Sequence, residues 1–167
     1  MNAPLAEMLR YNRWATLALL EACHPLTDVQ LAAHEPGTSG PIGELLLHIV
    51  GAQQTFALRT RGRQHEGEFS RKSDWPGIDA LIAAADTSAG ELIATAESLD
   101  TDSDVDLTYM GKTYRFPKSF FLVHAVEHGV EHRTEVKVAL ARVGIESPDL
   151  DGWSYAAARG FGAPVSE

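Results

Sequence analysis

A single cysteine, Cys23, is all the thiol the chain carries, which excludes an internal disulfide and any cysteine-rich metal knuckle and fits a reducing compartment. Basic residues are also scarce: 14 Lys and Arg stand against 23 Asp and Glu, a formal net charge of -9. A chain of that sign repels phosphate backbones and anionic lipid surfaces on average, so composition lends direct nucleic-acid contact no support. Long apolar runs are missing as well. None approaches the ~18 residues of a membrane span, and the N-terminal stretch meets Glu7, Arg10 and Arg13 before any apolar segment could serve as a signal sequence. The expectation is a cytoplasmic protein without a membrane partner. Internal repeats and low-complexity tracts are absent too.

What is present is the composition of a globular domain: 167 residues, 44% hydrophobic and 22% charged, enough to build one core over residues 1–167. Helical periodicity dominates. Leu5, Met8, Leu9, Asn12, Ala15, Leu19, Leu20 and Cys23 recur at three and four, which predicts a first helix over about residues 4–23, closed by His24-Pro25 because the residue before a proline leaves the α region. A polar connection over 26–40 ends in Thr38-Ser39-Gly40-Pro41, where Ser39 is placed to cap and Pro41 to take an early position of a second helix carrying Ile42, Leu45, Leu46, Ile49, Gln53, Phe56 and Ala57.

Residues 61–76 show neither period and read as an exposed loop. A third helix follows from Ile78 to about Leu99, on Leu81, Ile82, Ala85, Ala89, Leu92, Ile93 and Ala96. After an acidic stretch, residues 107–116 alternate in the β manner around Gly111, consistent with a short extended pair or an ordered loop. Pro117 opens a fourth helix that stops at Gly144, and residues 148–159 have room for a short fifth. The fold class that follows is all-α: an antiparallel four-helix bundle with a short additional C-terminal helix. In such a bundle, sites are built from side chains on facing helices.

The most informative stretch is His124-Ala-Val-Glu-His128-Gly-Val-Glu-His132. Successive histidines four apart rotate by only about 40° on a helix and rise ~6 Å, so all three share one stripe and an adjacent pair can converge on one metal ion. The outer two, about 12 Å apart in rise, cannot easily do so. A ligand from another helix is therefore needed, and His48, set within Leu45-Leu-Leu-His48-Ile-Val, is the candidate. A buried neutral imidazole needs partners for both ring nitrogens. Three histidines with an open fourth position would form a site of the catalytic rather than the closed structural type.

Tyr11-Asn12-Arg13-Trp14-Ala15, the Gly40-Pro-Ile-Gly-Glu-Leu-Leu-Leu-His48 approach and His124-Ala-Val-Glu-His128-Gly-Val-Glu-His132-Arg133 together resemble the DinB/YfiT-like family of four-helix metalloenzymes, in matching order over about residues 5–150. The resemblance implies a three-histidine site of His48, His128 and His132. It selects His128 with His132 over His124 with His128, which spacing alone leaves open. It also implies nickel or zinc as the bound ion, a homodimer, and activity with low-molecular-weight thiols, hence an S-transferase or isomerase acting on a small-molecule substrate with a thiol cofactor. Where family members commonly read His-Gly-Thr-His-His-Arg, this chain has Glu131 before His132, and Glu127 stands where Asn often does.

Glu131 and Glu135 fall near the histidine stripe on the helical wheel, placed to orient a ligand or take a proton, or else to form a solvated network with Arg133 and Lys137. Tyr11, Asn12 and Trp14 are candidates to line the pocket from the first helix, although Asn12 within an apolar stripe also suits a hydrogen bond across the bundle. Cys23 reads as a small buried hydrophobe. Two other functions fit the same residues: hydrolysis by a metal hydroxide, and a non-enzymatic stress-response binding module. His128-Gly-Val-Glu131-His132 also matches the H-x-x-E-H protease pattern, which a small helical domain with a histidine available on another helix fits poorly.

Overall fold

The computed structural model describes residues 3–162. Four long helices make up its body: α1 (Ala3–Ala22), α3 (Ile42–Arg59), α4 (Ile78–Ser98) and α5 (Lys118–Arg142), with short α2 (Asp28–Leu31) and α6 (Gly152–Ala158) at the flanks. They pack in a ring in which α1 and α3 each lie against both α4 and α5. The buried face of α1, Leu5, Leu9, Asn12, Ala15, Thr16, Leu19 and Leu20, has the expected spacing.

Cross-helix contacts fix the directions. Gln53 donates to the Ala85 carbonyl at 2.7 Å, and Leu45, Leu46 and Val50 share one apolar cluster with Leu81, while Ala57 shares another with Leu92 and Ala96. Helices α3 and α4 therefore run the same way. Asn12 reaches the Ala125 carbonyl and Thr16 meets Arg133, so α1 and α5 are also parallel, whereas α1 with α4 and α3 with α5 are antiparallel. The bundle is thus antiparallel across only two of its four seams. Its second connection, residues 60–77, is long because it must carry the chain back along the full length of α3.

The two apolar clusters lie toward opposite ends of the ring. One is centred on Leu19, Leu20, Ile42, Leu46, Leu81, Val136 and Leu140, the other on Leu5, Leu9, Leu92, Leu122 and Val126. Between them sit the buried polar side chains Asn12, Thr16, Gln53, Ser88, His132 and Arg133.

Two local features differ from the sequence expectation, and a third settles one of its open alternatives. Thr27 and Gln30 close a reciprocal capping box around α2 inside the polar connection. Pro41 is itself the N-cap of α3, with no side-chain cap, so Ser39 lies outside the helix and is free for another partner. The extended pair is a true hairpin, β1 (Asp104–Tyr109) and β2 (Lys112–Pro117), paired antiparallel with Tyr109 opposite Lys112. Its two-residue turn, Met110-Gly111, has both φ positive, at 48° and 75°, as a turn matched to strand twist requires. Val105 and Leu107 point inward against Phe121. At its far end α5 closes through left-handed Gly144, φ 76°. No helix among the described residues is long and apolar enough to cross a membrane.

Candidate metal centre

The antiparallel contact of α3 and α5 brings the histidines together. The Nε2 atoms of His48 and His128 lie 3.0 Å apart. The ring centroids of His48 and His132 are separated by 4.6 Å, those of His128 and His132 by 4.4 Å. One nitrogen from each of the three lies within 4.8 Å of the others. His124, a turn earlier, takes no part: its Nδ1 pairs with Glu127 at 3.0 Å and its ring stacks on Phe120 and packs at a tilt against Phe56.

Two ligand nitrogens each 2.0–2.1 Å from a common ion stand about 2.9–3.4 Å apart for right-angled to tetrahedral arrangements. The 3.0 Å between His48 and His128 falls within that range. The protonation states agree. Burial, then the positive charge of Arg71 and the neighbouring His132, pull the His48 pKa down to about 4. Burial, with the other histidines and Arg71, takes His128 to about 3. Both rings therefore keep a lone pair at neutral pH.

The third candidate ligand is oriented from behind. His132, only 9% exposed, meets Glu135 Oε2 through Nδ1 at 2.7 Å. An ionised carboxylate only accepts, so a proton sits on Nδ1, which leaves Nε2 as the nitrogen for a metal ion. Glu135 is held in turn by Ser39, whose backbone N–H donates at 3.0 Å and whose hydroxyl donates at 2.8 Å. Burial raises the Glu135 carboxyl pKa, but the hydrogen bonds from His132 and Ser39 outweigh it and leave the group below its ordinary value. Arg71 closes the sequence of contacts, donating to Ser39 Oγ at 2.9 Å and to its carbonyl at 3.2 Å.

The two carboxylates that the helical wheel grouped together part company here. Glu135 hydrogen-bonds a candidate ligand, whereas the Glu131 side chain is exposed and bonds to no other described residue. Tyr11, Asn12 and Trp14 lie on the α1 side, away from the imidazoles. Asn12 spans the seam to α5, while Tyr11 donates to the Leu150 carbonyl and packs with Trp14 and Tyr155 of α6. A cavity of about 740 Å³ opens between residues 65–69 and α4 and holds none of the three histidines. The chemistry of the donors, not cavity size, locates the site.

Ser39 and Arg71 escaped the sequence reading, Ser39 as a cap and Arg71 as part of an exposed loop. The loop is in fact strapped to α3. Gln54 accepts from the Glu68 and Phe69 N–H groups, and Thr55 accepts from Gly67. At Gly51 any side chain would collide with the Phe69 carbonyl. A usable signal was Phe69 and Trp75: apolar rings on either side of Arg71 have to find a core, and they bring Arg71 with them.

A helical fold with a three-histidine cluster across two of its long helices can now be set beside known proteins. The DinB family model matches residues 1–163, and the chain belongs to the DinB family. Among solved structures it is similar to a DinB-like protein of Bacillus cereus, with TM-score 0.65 and 22% identity over 87% of this chain and 94% of that one. It is also similar to the DinB-like protein YjoA of Bacillus subtilis, with TM-score 0.60 and 21% identity over 89% and 98% of the two chains. No curated protein matches.

Proposed function

We propose that the chain is an enzyme dependent on a divalent metal ion, nickel or zinc, and that it transfers or isomerises a small substrate using a low-molecular-weight thiol. The observation that carries this reading is the 3.0 Å approach of two lone-pair nitrogens, His48 and His128, beside a third whose tautomer Glu135 fixes. Imidazole suits both ions. When bound by three histidines, such an ion supplies Lewis acidity and lowers the pKa of a thiol or water in its open position.

The residues of the chain divide the remaining work. His48, His128 and His132 present the ligand nitrogens. Glu135 keeps His132 turned, and Ser39 keeps Glu135 in place. Thiol chemistry is favoured over hydrolysis by the state of the nearby acids. A hydrolytic route calls for a base within reach of the attacking water, yet Glu135 already accepts three hydrogen bonds and Glu131 is exposed. A thiol ionises near pH 8.5 unaided and has less need of such a base. A homodimer belongs to the same proposal, by family likeness.

The test is elemental analysis of purified protein followed by thiol-conjugation assays against a panel of electrophiles. A stoichiometric ion and conjugation that disappears in His48→Ala are expected. Protein that takes up neither nickel nor zinc overturns the reading.

A further inference from the structure

Arg71 is a strongly basic group drawn into the surroundings of the three histidines, and nothing in the proposed chemistry uses it. Its two hydrogen bonds both go to Ser39. A guanidinium has five N–H donors, so three are left over. Arg71 makes no ion pair with any carboxylate among the described residues, whereas Arg10, Arg13, Arg59, Arg61, Arg115, Arg142 and Arg159 all do.

Its position is enforced rather than incidental. The loop backbone on its N-terminal side is tied to α3 by Gln54 and Thr55, one to two turns beyond His48. The guanidinium rests against Gly40, where an added Cβ would stand 3.0 Å from Nη1. The same group borders a cavity of about 440 Å³ with Leu31, Leu47, Trp75 and Lys72, so it is not sealed off from solvent. The closest acids each have a constraint of their own. Glu135 is occupied by His132 and Ser39, while Glu44, exposed, lies with Arg71 against Gly40 and lines the same cavity without forming an ion pair with it. Ser39 ties Arg71 to the histidines, because it accepts from Arg71 and donates to Glu135, which in turn meets His132.

In a chain of net charge -9, a fixed and unpaired cation beside a candidate metal centre is a local exception to a repulsive field. We propose that Arg71 is the specificity residue of the site and that the thiol or substrate it selects bears a carboxylate, paired with the free edge of the guanidinium while the other end of the molecule occupies the open position at the histidines. A planar fork matches a carboxylate in two-point fashion, which a lysine does not reproduce. The inference rests on the metal-centre reading above and adds to it the charge class of the ligand.

The experiment uses cobalt-loaded full-length protein and a pair of thiols of equal length, 3-mercaptopropionate and 3-mercapto-1-propanol, with binding followed through the cobalt absorption bands. Wild type is expected to favour the carboxylate thiol by about tenfold or more, a difference of about 1.4 kcal/mol. Arg71→Gln should bring the ratio near one, and Arg71→Lys should recover only part of it. Because Arg71 also braces Ser39, the cobalt affinity of each variant is read from the same spectra and the thiol ratio is compared with the site saturated in cobalt. An unchanged ratio in Arg71→Gln overturns the role of Arg71 and leaves the metal centre standing, because direct chelation by the carboxylate would then explain the preference. Failure of wild type to bind cobalt overturns both.

Discussion

Arg133 donates a 2.6 Å hydrogen bond to Asn12 Oδ1 across the parallel seam of α1 and α5, a fully buried cation answered by a neutral amide rather than a carboxylate. Thr16 accepts from the same Nη1 at 2.9 Å, the Tyr11 ring lies 5.9 Å from the guanidinium carbon, and Nη2 has no hydrogen-bond partner among the described residues. This group neighbours His132 in sequence and faces the other side of α5. It pins the helix that carries two of the three candidate ligands.

With so few acceptors, the loss of one is costly. Asn12→Ala is expected to destabilise the fold by about 2–4 kcal/mol, the range for leaving a buried charge short of a partner. Gly129→Ala is also expected to destabilise, by about 1–3 kcal/mol, against a helix-propensity gain of ~1 kcal/mol. A methyl at that position would collide with Asn12 Oδ1 and stand 2.6 Å from Arg133 Nη1. Urea denaturation measures both, and the double variant should cost less than the sum because Asn12→Ala removes one of the collisions. Additive effects would contradict this packing.

Glu135→Gln should weaken metal binding by about 10- to 100-fold, the usual penalty for losing the acid that orients a ligand histidine. Glu131→Gln should leave affinity unchanged, since that side chain is exposed and hydrogen-bonds none of the three histidines. Competition with a chelator of known affinity reads both. Equal losses in the two variants would mean that negative charge along the helix matters, rather than the 2.7 Å contact to His132.

Much of the centre could be read before folding. His48 stood out as an imidazole inside an apolar turn, and the four-residue spacing of His128 and His132 fixed their shared face whatever the tertiary structure. Ser39 and Arg71 were not legible because their place depends on two non-local facts: Pro41 rather than Ser39 caps α3, and α3 and α4 run in parallel, which forces residues 60–77 to return along α3. Periodicity reports which face a helix buries, not which way its neighbour runs. The hairpin was half visible in its alternation, but its turn puts Met110 at φ 48° where Asn or Gly is the usual choice.

Cys23 supplies a pH dependence away from the centre. Burial pushes its thiol up to about 12 from an ordinary value of 9.0. Below pH 9 folded and unfolded chains both hold the proton and the thiol contributes no slope. Above it the unfolded chain ionises first, so stability should fall by about 1.4 kcal/mol per pH unit until the folded pKa is reached. Denaturation midpoints of wild type and Cys23→Ala compared from pH 8 to 10.5 isolate this contribution. Parallel curves for the two proteins would show that the folded thiol ionises normally.

The claim on which the rest depends is that His48, His128 and His132 jointly hold one metal ion. Titration of metal-free protein with zinc and with nickel, followed by calorimetry, tests it for wild type and four single alanine variants. The account predicts stoichiometric binding that persists in His124→Ala and weakens by more than about 100-fold, beyond the range of outer-shell changes, in each of His48→Ala, His128→Ala and His132→Ala. Wild-type affinity in those three variants, with binding lost in His124→Ala alone, would contradict it.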